Sequence, residues 1–136
     1  MNDLELVQET RRWLEFARED LEVGKLILDH PTTAYRHICG LSQQAVEKAF
    51  KAVLIFLQID FPRTHDLDVL RHLVPDDWAV KHLLPDLAVL TEWAVESRYP
   101  GDWPDASKSD AVNAFNQSSA LFNSLMVDFE KRGIKL

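Results

Sequence analysis

Residues 40–54 read GLSQQAVEKAFKAVL, and their spacing decides the fold. At 100° per residue, Leu41, Ala45, Ala49 and Val53 gather on one side of a helical wheel. Gln44, Glu47, Lys48 and Lys51 fall within an arc of about 100° beside them, with Gln43 just outside it. An apolar stripe next to a polar arc is the pattern of an amphipathic helix packed into a core. The stripe starts at Ile38 and runs on through Phe56 and Leu57, which predicts a helix over 33–59.

The same period recurs on either side. Trp13, Phe16, Ala17, Leu21, Ile27 and Leu28 predict a first helix over 3–29, ended by Pro31, which disfavours a helical His30. After the loop DFPRTHD comes a short helix over 66–73, with Thr64 or Asp66 as cap. A further helix is expected over 83–98, with Pro85 tolerated in its first turn. YPGDWPDAS then breaks the chain, and a last helix over 106–131 stops before Gly133. No repeat or linker divides residues 1–136, so the reading is a single all-α domain: an antiparallel up-and-down four-helix bundle with a short additional helix.

Composition excludes several classes of function. The chain has 136 residues, enough for one domain with a real core, and only 4 glycines and 6 prolines. Its net charge of −7 argues against a dedicated duplex-DNA binder, because phosphate contacts dominate such affinities. The charge is uneven, however. Residues 31–65 carry four basic and two acidic groups, the one segment with a positive excess, so an anionic ligand is expected there. The single cysteine, Cys39, has no internal disulfide partner. With neither a signal peptide nor a bilayer-length apolar run, it predicts a reducing cytoplasm and no membrane role. The histidines show no metal-ligand spacing, and no glycine-rich phosphate loop is present. No metal or cofactor is expected.

Three features have both a structural and a functional reading. The polar arc suits a solvated face, and Glu47 and Lys51 have the favourable i,i+4 order. Ile55 lies inside that arc, so the face is not simply water-facing and a second subunit or a neighbouring helix is expected to cover it. Asp20 interrupts the apolar stripe of the first helix; unless it reaches solvent, it needs a cation such as Lys48, Lys51 or Arg98. Arg98 extends the line Leu87, Leu90, Ala94 at the end of its helix. It would either complement the helix dipole or aim a guanidinium into a cleft, where it suits phosphate or carboxylate. His65, beside Asp66, is a further candidate to cap, pair or titrate.

AREDLEVGKLIL (17–28), SQQAVEKAFKAVLIFLQIDFPRTHDLDVL (42–70), ESRYP (96–100) and DASKSDAV (105–112), in that order, resemble the HEPN domain, the higher-eukaryote and prokaryote nucleotide-binding domain, in its RYP-containing prokaryotic branch. The resemblance implies an up-and-down helical bundle, commonly dimeric. It also implies nucleotide binding and a frequent pairing with a minimal nucleotidyltransferase in two-component or toxin–antitoxin-like systems. Ribonuclease branches of the family carry an arginine followed, four to six residues on, by a histidine. Arg98 matches the arginine and His65 the histidine of the THDL segment, but the last histidine of the chain is His82, so the ribonuclease pair is incomplete.

The expected function is thus a homodimeric module that binds a nucleotide, an RNA or a nucleotidyltransferase partner without catalysis of its own. Its ligand-facing residues would be Arg98, Tyr99, Lys48, Lys51, Gln44, Glu47, His65 and Asp20. The alternatives are a metal-independent ribonuclease with an atypical site, using Arg98 with His65 or Tyr99, and a helical scaffold without a ligand.

Overall fold

A computed structural model describes residues 1–84 and 86–136. Five α-helices carry the described residues: α1 (Asp3–Leu28), α2 (Tyr35–Phe56), α3 (Leu67–Leu73), α4 (Ala88–Glu96) and α5 (Lys108–Lys131), with a 3-10 turn at Ala79–His82. Among these residues there is no strand, and no helix is long and apolar enough to cross a membrane.

Local signals set most boundaries. Asn2 and Ser107 cap α1 and α5 through reciprocal bonds with Glu5 and Asp110, and Asp66 caps α3 by accepting from Asp68 N and Val69 N. α2 ends because Gln58 takes the left-handed conformation (φ 56), with Ile59 N donating to Leu54 O and Gln58 N to Ile55 O. α5 closes in the same way at Gly133 (φ 86), and Ile134 folds back into the core.

The fourth helix departs from expectation: it begins at Ala88, five residues later than its sequence period suggests. The carbonyls of Leu83 and Leu84, which a helix would offer to its own amides, instead accept from the Arg71 guanidinium. Leu84 is itself left-handed (φ 61). The placement of Pro85 in a first turn lies outside the described residues.

α2 is the central element. Its apolar side is fully enclosed by α1, α4 and α5, and the small residues Ala45, Ala49 and Ala52 let the neighbours approach. α1 runs against it, so that Gly24 packs near Leu41 while Asp20 reaches Lys48. α5 runs alongside it, with Ser118 donating to the Ser42 carbonyl at one end and Phe56 meeting Phe129 edge-on at the other. The first turns of α2 meet the end of α4: Arg36 donates to the Ser97 carbonyl at 2.7 Å. A Cβ on Gly40 would lie 2.6 Å from Ser97 Oγ. Glycine at position 40 therefore sets how closely α2 and α4 approach.

Candidate functional site

The polar arc of α2 is half-buried, and its members do different work along the helix. Towards its C-terminal half they are engaged with one another. Glu47 Oε1 accepts from His65 Nδ1 at 2.7 Å and from Gln43 Nε2 at 3.2 Å, and Glu47 Oε2 accepts from Lys51 at 3.1 Å. Gln43 also donates to the His65 carbonyl at 3.1 Å, so one buried amide holds both the acid and the loop that carries the histidine. Burial by itself would raise the Glu47 carboxyl. The bonds from His65, Gln43 and Lys51, with the Lys51 charge, outweigh it and hold the carboxyl below its ordinary range. His65 remains 56% exposed on this support.

At the next residue, Lys48 Nζ lies 2.6 Å from Asp20 Oδ2, with side-chain exposures of 25% and 16%. Of the three cations open to Asp20 on sequence grounds, Lys48 is the one that meets it. The same ammonium sits 5.9 Å from the Phe16 ring centre, in the wall of a cavity of about 370 Å³ formed with Glu9, Arg12 and Trp13. Both lysines of the arc thus already face a carboxylate.

Arg98 belongs to a different place. α4 ends at Glu96, and Arg98 stands in the turn beyond it, exposed, on the wall of a cavity of about 700 Å³. The first turn of α2 supplies Arg36 and His37; the end of α4 supplies Trp93 and Glu96; the following loop supplies Tyr99, Gly101, Trp103 and Asp105. A recess of about 180 Å³ continues from it past Gly40 to Gln44. Arg98 therefore lines the cavity with Tyr99 and the recess with Gln44, while Glu47, Lys51 and His65 form one cluster elsewhere and Lys48 and Asp20 a separate pair. Lys48 and Lys51 do not line the Arg98 cavity.

Local sequence explains the geometry of this cavity. Pro100 prevents the helix from continuing past Tyr99, which frees the loop to turn across the start of α2. Gly101 lets the Trp103 ring lie directly on the backbone, since a Cβ there would sit 2.4 Å from the ring. Arg36 is anchored through the Ser97 carbonyl. Among the described residues, the Arg98 guanidinium and the Glu96 carboxylate have neither a side-chain hydrogen bond nor an ion pair. Burial, followed by the charges of Glu92 and Asp110, pushes the Glu96 carboxyl above its ordinary value.

Arg36, His37, Glu96 and Trp103 are not among the sequence-derived candidates. They come from three separate segments, and only their meeting at one end of the bundle makes them a group. The positive excess of residues 31–65 was the one signal pointing to Arg36. Cys39 is fully buried and its thiol is pushed up to about 12, chiefly by burial, which removes it from nucleophilic chemistry. Among the described residues no cluster of three or more acidic, histidine or cysteine side chains is arranged to hold a metal ion.

Comparison with known proteins agrees with this architecture. Residues 10–128 match the model of the HEPN domain. The chain is 32% identical over 149 residues to a Methanocaldococcus jannaschii protein named "Putative toxin MJ1304", covering 95% of this chain and 94% of that one. It also superposes on the crystal structure of ST0689, an archaeal HEPN homologue, with a TM-score of 0.64 and 26% identity over 93% of this chain and 98% of that one.

Proposed function

The chain belongs to the HEPN domain family, and from that premise we propose that it is the binding component of a toxin–antitoxin-like pair. It works as a homodimer, partnered by a minimal nucleotidyltransferase, and takes the phosphate of a nucleotide or an RNA in the Arg98 cavity. The observation that carries this reading is the Arg98 guanidinium, without a side-chain partner among the described residues, lining with Arg36 a 700 Å³ cavity that also presents Trp93, Tyr99 and Trp103. The volume lies in the range of small-molecule sites, about 300–1,000 Å³. Guanidinium groups recognise phosphate bidentately, and aromatic rings supply stacking faces for bases. The toxin name of the relative supports the pairing with a second component.

The test is equilibrium binding of nucleoside monophosphates to the wild-type chain and to Arg98→Ala. Binding that weakens with added salt and falls at least tenfold in the variant is expected. Equal affinity in the two proteins would refute the assignment of Arg98.

A second reading, metal-independent RNA cleavage, is favoured by one observation: His37, from the start of α2, lines the same cavity as Arg98. It is a histidine brought there by the fold rather than by sequence spacing. Cleavage of this kind needs a cation for the scissile phosphate and a group that moves a proton. Metal-free RNA turnover by the wild type that is lost in both Arg98→Ala and His37→Ala would establish this reading over the binding module.

A further inference from the structure

We infer that the Arg98 cavity selects guanine among the bases, through the carboxylate of Glu96. The inference rests on the nucleotide-site reading above and adds the base that the site prefers. The starting point is a mismatch of charge. The cavity is lined by a cation, Arg98, and an anion, Glu96, two residues apart, and among the described residues neither side chain has a hydrogen bond or ion pair, with the other or elsewhere. A ligand that offered phosphate alone would satisfy the first and be repelled by the second. A ligand that neutralises both must bring an anionic group and N–H donors together.

Among the common bases, guanine offers two adjacent donors on one edge, N1–H and the N2 amine. The two oxygens of a carboxylate accept from such a pair side by side. Adenine presents an acceptor at N1 and no amine at C2, so its edge turns a lone pair towards the acid. Glu96 is the better placed of the two cavity carboxylates, since it is half-buried and Asp105 is exposed. Burial and the neighbouring Glu92 and Asp110 already disfavour its charged form, so donors delivered to it by a ligand count for more than they would at an open site. Trp103, packed on Gly101 and lining the same cavity, provides a fixed ring for the base to stack on, leaving Arg98 and Arg36 for the phosphate.

The experiment compares GMP, IMP and AMP by isothermal titration calorimetry on the wild-type chain, Glu96→Gln and Arg98→Ala. In wild type, GMP is expected to bind about tenfold or more tightly than AMP, the discrimination typical of a bidentate contact to a base. IMP, which keeps N1–H and lacks the N2 amine, should fall between them. Glu96→Gln should collapse the GMP preference, and Arg98→Ala should weaken all three ligands. If the wild type binds the three equally while Arg98→Ala still weakens them, the guanine inference fails and the nucleotide site stands. If none of the three binds, both fail. The wild-type series decides the base preference even where a variant does not fold.

Discussion

Glu47 ties α2 to the loop before α3 by accepting from His65, Gln43 and Lys51, with its side chain only 13% exposed. Its carboxyl is held below the ordinary value of 4.5, so the stabilisation it contributes is complete at neutral pH and is lost as pH falls through the lowered value. Glu47→Gln should therefore cost about 2 kcal/mol at pH 7, the scale of hydrogen bonds to a charged group. The gap to wild type should close only below pH 4.5. Urea unfolding of both proteins across pH 3 to 7 checks this, and a gap that persists unchanged at the acid end would contradict it. At this scale the sequence was partly legible. The Glu47–Lys51 order and the place of Asp20 on an apolar stripe pointed to real pairs, because both follow from helical geometry alone. Gln43 and His37 were not legible as partners of the network and of the cavity. The bond from Gln43 to the His65 carbonyl spans 22 residues, and His37 acquires its neighbours only when the loop after α4 crosses α2.

The helices themselves follow closely from hydrophobic period and capping residues, and the exceptions arise where a distant side chain competes for the backbone. α4 starts late because Arg71 occupies the carbonyls of Leu83 and Leu84, a contact no local pattern encodes. α2 ends at Phe56, and Gln58, two residues on, is not glycine yet takes a left-handed conformation (φ 56). Gln58→Gly should stabilise the fold by about 1 kcal/mol, the cost a side chain bears in that region. Gly40→Ala should act in the opposite sense. Its Cβ would press on Ser97, push α4 from α2, and disturb the turn that carries Arg98. A lower urea midpoint together with weaker nucleotide binding is the expected result. An alanine variant with wild-type stability and affinity would show that the α2–α4 approach does not shape the cavity.

For the whole molecule, one central helix organises the core, and among the described residues α1 carries more exposed large apolar side chains than any other helix: Leu4, Phe16, Val23 and Leu26. Phe16, Val23 and Leu26 are exposed and fall within about 80° of one another around that helix, a strip suited to a second copy. Light scattering at micromolar concentration should give about twice the mass of the 15.7 kDa chain, and Val23→Glu should shift it towards the monomer. A monomer alone in wild type would contradict the dimer. If Arg98 anchors the phosphate, ligand enters the cavity at the α2–α4 junction and not the polar arc of α2. ¹H–¹⁵N correlation spectra recorded during a GMP titration test it most directly. The Trp103 indole N–H and the amides of Ser97, Arg98, Tyr99 and Gly101, with Gly40, should shift together while Trp13 and His65 stay in place. Shifts centred on Trp13, Lys48, Lys51 or His65, with Trp103 unmoved, would contradict it.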